Sequence, residues 1–311
     1  MRYAPFKLRI DNNYDNMKSL LIFTIILISM QSVYALKPVK KYDFKPENFG
    51  MIYKEFKAIT SDKYKINVWF FPAQDSVPLK YVKHASKRVY KTSDNKKRPT
   101  IIVCPPDADN MARMFQYADI MCPKGYNVVT FDWRGFGGSD KWPINKDYLC
   151  YTEFFKDIDA VVDKTKLLEE VDTAKIGICG YSMPAFQSFP VFQRRSDLKC
   201  YVGGALSADL DTIVGYWVKH GRPTFIPKDY TKDLYPMNVA EKITKPCLLI
   251  VGELDEITPA KMVVQDIYNK LKGEKEIWII KGVGHGAQWY NKDSFHNYVN
   301  RMVVFYDKYL K

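Results

Sequence analysis

With 311 residues, 47% hydrophobic and 26% charged, the chain has the balance of a folded globular protein and is too apolar to be disordered. That length fits one large α/β unit, with a core big enough to need neither disulfides nor metal. The formal net charge of +12 comes from scattered lysines, densest in KPVKK (37–41) and NKKR (95–98), with no nucleic-acid-binding motif; it predicts a solvated basic surface, no nucleic-acid partner, and at most a loose association with anionic membranes.

Residues 1–35 read as an N-terminal extension and a signal peptide. MKSLLIFTIILISMQSVYA (17–35) has a basic start at Lys18, an apolar run from Leu20 to Met30, and small residues at Val33 and Ala35 where a signal peptidase reads. The run is shorter than the roughly 20 residues of a comfortable membrane span. We therefore expect a periplasmic or secreted protein cleaved near Ala35, the alternative being an uncleaved N-terminal membrane anchor. Translation starts at Met1 or Met17. Six cysteines (Cys104, Cys122, Cys150, Cys179, Cys200, Cys247) lack any C-x-x-C spacing and read as structural, with no pairing legible.

From residue 36 onward, short apolar runs alternate with helix-period segments, the pattern of a mostly parallel sheet with helices on both faces. The predicted strands are 53–60, 65–71, 100–104, 126–131, 175–179, 201–206, 247–252 and 276–280. The first two alternate polar and apolar residues and predict an antiparallel edge hairpin; the later ones are nearly continuous apolar runs, as in strands buried on both faces. Residues 72–99, polar and proline-tied, predict a surface insertion. A helix is expected through Phe154, Ile158, Val161 and Val162. Residues 207–245 interleave aromatics with prolines and predict a small cap. A further helix is expected with Thr258 as N-cap and Pro259 as its first residue, ending at Gly273, and a last one carries Phe295, Tyr298, Val299, Met302, Phe305 and Tyr306 on one side.

Three residues in chain order supply the parts of a nucleophilic site. Ser182 lies in ICGYSMPA (178–185), between a strand and a helix, where a tight turn lifts the hydroxyl above the sheet. A serine needs a base to take its proton and a third group to orient that base. Asp255 follows a buried strand in GELDEITP (252–259), and His285 lies between glycines in GVGHG (282–286) on a loop leaving another strand. A capping serine, an N-cap carboxylate and a structural histidine are the bland alternatives for each alone. The other histidines, His84, His220 and His296, have no such setting and no metal-ligand spacing, and RGFGGSD (134–140) is a structural turn, not a phosphate loop.

These motifs, with FDWRGFGGSD (131–140), make the chain resemble an α/β-hydrolase over residues 49–310, and PENFGMIYKEF (46–56) resembles the start of the small-lidded, esterase/dienelactone-hydrolase-like branch. The resemblance implies an α/β-hydrolase fold with an eight-stranded sheet, a small-molecule ester substrate, and no metal or organic cofactor. It implies Ser182 as nucleophile, His285 as general base and acid, Asp255 as the orienting carboxylate, and the backbone N–H groups of Met183 and Asp107 as oxyanion hole. Trp217, Trp289 and Tyr290 are candidate pocket residues, with ordinary lid packing as the alternative.

Two positions depart from the family pattern. PPDADN (105–110) replaces its His-Gly oxyanion loop, which spares the Asp107 N–H but requires the Asp107 carboxylate to point away from the hole. Pro184 stands where a small residue is usual and is expected to push Met183 away from helical angles. The expected function is an exported serine hydrolase cleaving a carboxylic ester, with an amide or thioester as alternative substrates; the alternative function is a catalytically impaired binding protein on the same scaffold.

Overall fold

A computed structural model of the chain describes residues 35–76, 90–92, 94, 96–286, 289 and 291–311. The predicted signal segment before Ala35 and residues 77–89 of the predicted surface insertion lie outside them. Polar–apolar alternation puts β1 (Lys54–Ile59) and β2 (Lys65–Phe71) into the expected antiparallel edge hairpin. A separate short ribbon pairs β3 (Gln74–Ser76) with β4 (Tyr90–Thr92). The apolar runs form β5 (Arg98–Val103), β6 (Asn127–Phe131), β7 (Val171–Tyr181), β8 (Leu198–Gly204), β9 (Cys247–Gly252) and β10 (Lys275–Ile280).

The main sheet has eight strands in the order β1-β2-β6-β5-β7-β8-β9-β10, and from β6 to β10 every pairing is parallel. Five helices of seven or more residues occur among the described residues: α1 (Phe115–Met121), α2 (Glu153–Thr165), α3 (Met183–Arg194), α4 (Leu210–Lys219) and α5 (Lys292–Leu310). The apolar stripes of α2 and α3, including Ile158, Val161, Phe186 and Phe189, close one face of the sheet. Those of α1 and α5, including Ala118, Val299, Met302 and Tyr306, close the other. Each such fully buried side chain contributes about 1.5–3 kcal/mol relative to exposure. All six cysteines are buried free thiols.

Three local expectations change. β10 is the sheet's outer strand and is only half-buried, with Ile279 40% exposed, because nothing pairs beyond it among the described residues. The segment after Thr258 is not one capped helix. It is a turn of α-helix (Ala260–Met262) running into a π turn (Val263–Ile267) and a 3₁₀ turn (Tyr268–Lys270), since the Thr258 N–H and hydroxyl are both given to Asp255. Met183 is the first residue of α3 despite Pro184, whose missing N–H is one that a first turn leaves unused.

Candidate active site

Loops leaving the carboxyl ends of β5, β7, β9 and β10 converge on one rim of the sheet, where ligands gather in open α/β folds. Between β7 and α3 the chain turns on Ser182, a non-glycine residue at φ 60° and ψ −127°. Two bonds hold the bend: the Ser182 N–H donates to the Gly204 carbonyl at 2.8 Å, and the Ser182 carbonyl accepts from the Phe186 N–H at 3.0 Å. The turn is so tight that a Cβ on Gly180 would lie 2.5 Å from the backbone of Pro184 and Ala185. Gly180→Ala must displace the start of α3, with an expected stability loss of roughly 1–3 kcal/mol and loss of labelling at Ser182 by a fluorophosphonate probe. Thermal melting and probe labelling check this, and an unchanged melting temperature would show that the turn has slack.

The three predicted residues meet. Ser182 Oγ lies 3.1 Å from His285 Nε2, and His285 Nδ1 lies 2.9 Å from Asp255 Oδ2. The Asp255 side chain is fully buried, and its Oδ1 accepts the N–H groups of Ile257 (3.0 Å) and Thr258 (2.8 Å), while Oδ2 also accepts the Thr258 hydroxyl (2.7 Å). Burial alone would raise its pKa, but the hydrogen bond and charge of His285 together with the Thr258 donors hold it below the ordinary carboxylate value. An ionised Asp255 can only accept, so the hydrogen sits on His285 Nδ1 and leaves Nε2 to accept from Ser182.

Sequence reasoning missed Tyr181. Its hydroxyl accepts the Gly286 N–H, and its ring centroid lies 5.3 Å from that of His285, so it holds the histidine loop from below. The only available signal was its place directly before Ser182. Asp132, in the turn after β6, was also unassigned: one oxygen accepts the Met111 N–H at 2.9 Å and the other the Gly138 N–H at 2.9 Å and the Tyr42 hydroxyl. This anchors the far end of the 105–110 loop. At its near end Pro105 offers its carbonyl to Trp133 Nε1 at 3.0 Å.

A cavity of about 150 Å³ opens beside Ser182, Met183 and His285. Leu149, Ile213, Trp217 and Ile257 give it apolar walls, and Asp107 and Arg222 add charge. Arg222 lies 4.3 Å over the Trp217 ring. Ala35 completes the wall; it is 3% exposed, and the next N–H, of Leu36, bonds to the Lys146 carbonyl at 2.9 Å. Asp107 also lines this cavity, and its carbonyl accepts the Lys37 N–H at 3.0 Å. One expectation is corrected. Trp289 lines a neighbouring cleft with Pro106, Asp109 and Arg113, its ring stacked 5.1 Å from Phe295. Tyr290 lies outside the described residues.

The family model described as "Serine aminopeptidase, S33" matches residues 95–211. The Arabidopsis thaliana protein "Alpha/beta hydrolase domain-containing protein WAV2" is 24% identical over 164 residues, covering 51% of this chain and 45% of that one. An uncharacterized 31.7 kDa protein of Escherichia coli is 29% identical over 121 residues, covering 39% and 41%. The chain thus spans less than half the length of these curated relatives. Among solved structures, a Pyrococcus furiosus esterase superposes with a TM-score of 0.67 at 19% identity, over 89% of this chain and 97% of that one. Pyrococcus horikoshii acylaminoacyl peptidase does so at 0.63 and 18%, over 84% and 42%.

Proposed function

We propose that this chain, a member of the α/β-hydrolase superfamily, is an exported serine hydrolase that cleaves a small carboxylic ester through an acyl-enzyme at Ser182. The observation that carries this is the unbroken hydrogen-bonded series Ser182–His285–Asp255 at the mouth of an apolar cavity. The family match and the esterase and peptidase neighbours support hydrolysis as the chemistry.

In this mechanism Ser182 Oγ attacks the ester carbonyl as its proton passes to His285 Nε2. The tetrahedral oxyanion faces the Met183 N–H, which as a first helical residue has no intrahelical acceptor. Collapse breaks the bond to the alcohol, which leaves with the proton from His285. Water then gives a proton to His285 and attacks the acyl group; the acid departs and the proton returns to Ser182. Asp255 keeps the imidazole in the required tautomer throughout.

A cavity of about 150 Å³ admits a ligand about the size of benzene, so turnover of p-nitrophenyl esters is expected to peak near butyrate and hexanoate and to fall at octanoate. Trp217→Ala removes a wall and should move the optimum to octanoate. Initial rates across the series check both, and a flat series unaffected by Trp217→Ala would place acyl binding elsewhere. Export by cleavage near Ala35 must precede folding, because Ala35 and Leu36 are both buried in the folded chain. A second reading, a binding protein on this scaffold, is favoured by the presence of Asp107 and Arg222 in the lining of the cavity. A fluorophosphonate that fails to label Ser182 in folded protein would select it.

A further inference from the structure

Residues 35–42 precede β1, and their hydrogen bonds go to the loops around the cavity. The Leu36 N–H donates to the Lys146 carbonyl at 2.9 Å, three residues before Leu149 of the cavity wall. The Lys37 N–H donates to the Asp107 carbonyl at 3.0 Å, and the Lys41 carbonyl accepts from Asn110 Nδ2 at 2.8 Å. The Val39 carbonyl accepts the Gly137 N–H at 2.9 Å, and Lys40 Nζ donates to the Ser139 carbonyl at 3.2 Å, which ties the segment to the turn after β6. The Tyr42 hydroxyl donates to Asp132, whose other oxygen takes the Met111 N–H at the far end of the 105–110 loop.

That loop has little means of holding its own shape. Pro105 and Pro106 have no N–H, and residues 107–109 bend without a hydrogen-bonded turn. Partners outside the loop set its course: Trp133 on the Pro105 carbonyl, Lys37 on the Asp107 carbonyl, and the Lys41 carbonyl on the Asn110 amide. Lys37 and Lys41 both belong to residues 35–42. Asp107 and Ala108, between these fixed points, line the cavity with Ser182 and His285, and Ala35 lines it too.

We propose that residues 35–42 are a positioning strap of the active site, in which the Lys37 backbone N–H fixes the loop wall at Asp107 and Ala108 beside Ser182. This rests on the serine-hydrolase mechanism proposed above. Ser182 is held by its bonds to Gly204 and Phe186, and Asp255 by those from Ile257 and Thr258. Loosening the strap therefore leaves the nucleophilic series in place and moves the wall against which the ester lies. A misplacement of about 1 Å can cost roughly a hundredfold in rate. Cleavage after Ala35 would leave Lys37 and Lys41 in the chain, so the strap would serve the mature protein as well.

The test compares three full-length variants with wild type. Lys37→Pro deletes the N–H; Lys37 already precedes Pro38, which favours the extended backbone that a proline accepts. Lys37→Ala keeps the N–H and removes only the side chain. Asn110→Ser attacks the strap from the other side, since serine can still cap the Ala112 N–H but is too short to reach Lys41. The readouts are kcat/KM for p-nitrophenyl esters from acetate to octanoate, melting temperature, and the final extent of fluorophosphonate labelling at Ser182. For Lys37→Pro we expect kcat/KM on butyrate to fall at least about tenfold and the chain-length profile to flatten, with full labelling and a melting temperature within a few degrees of wild type. Asn110→Ser should change in the same direction, and Lys37→Ala should match wild type. A strap that only stabilised the fold would move the melting temperature and leave the profile alone. Should Lys37→Pro fail to fold, Asn110→Ser decides. A folded variant lacking either bond that keeps the wild-type rate and profile would overturn the proposal, as would a Lys37→Ala as impaired as Lys37→Pro. A wild type that neither labels nor turns over would instead remove the serine-hydrolase mechanism, and this inference with it.

Discussion

Ser182→Ala is expected to reduce ester turnover by at least about four orders of magnitude while leaving the melting temperature within a degree or so of wild type. The serine hydroxyl lies 3.1 Å from His285 Nε2, and its removal takes away the group that this nitrogen would activate. The fold does not depend on it, since the turn is held by the backbone bonds to Gly204 and Phe186. The φ of 60° costs a non-glycine residue on the order of 1–3 kcal/mol, so Ser182→Gly should be equally inactive yet melt higher. Initial rates with p-nitrophenyl butyrate and fluorophosphonate titration measure the first effect; calorimetry measures the second. A lysine-rich surface can itself accept acyl groups, so a rate within about tenfold of wild type in Ser182→Ala would show that hydrolysis occurs away from this site.

The second large effect is on stability. Arg134 and Asp157 are both fully buried, and Asp157 takes the Arg134 backbone N–H (3.0 Å), Nε (2.8 Å) and Nη2 (2.7 Å). The other edge of the guanidinium clamps Asp62, through Nη1 at 2.8 Å and Nη2 at 3.1 Å, and its plane lies 4.7 Å over the Tyr64 ring. Arg134→Ala leaves a buried carboxylate without a counter-charge, and the expected loss is about 3–5 kcal/mol, read from denaturant unfolding. Replacing both partners, as Arg134→Met with Asp157→Leu, should recover most of it, because the desolvation cost disappears with the charges. Equal losses in the single and double variants would show that shape at this site matters more than charge. Activity should fall along with stability, since Arg134 sits two residues from the Asp132 carboxylate that anchors the loop at Met111.

This network also has a pH signature. Hydrogen bonds from Arg134, with lesser help from Thr60 and Lys156, hold the Asp62 carboxyl well below its ordinary value of 3.8. A depressed folded-state pKa contributes stability that is complete above the unfolded value and is lost as pH falls through the folded one. The stability gap between wild type and Asp62→Asn should therefore be widest near neutrality and close as pH drops below about 4.

Much of this architecture was legible from local pattern. β2 and β9 have the limits that their apolar runs predict, and Gly180 before Ser182 anticipated a turn too tight for a side chain. Ser182, Asp255 and His285 could be chosen because each follows a strand and lies at the same rim once the strands run parallel. Thr258 was misjudged as a cap, since a hydroxyl three residues after a carboxylate can serve either the helix or the acid, and sequence does not say which.

By itself, then, the sequence determined the alternation of strands and helices, the parallel sheet, and the three residues Ser182, His285 and Asp255 that meet at its rim. Hydrophobic period and turn chemistry are properties of neighbours along the chain, and they carry that much. Tertiary structure alone decided that Trp217 and not Trp289 faces the serine, that β10 stands half-exposed at the edge, and that Tyr181 supports the histidine loop. It also decided that Asp107 lines the cavity beside Ser182. Its carbonyl is held by the N–H of Lys37, seventy residues earlier in the chain, and no local pattern encodes a bond between segments so far apart.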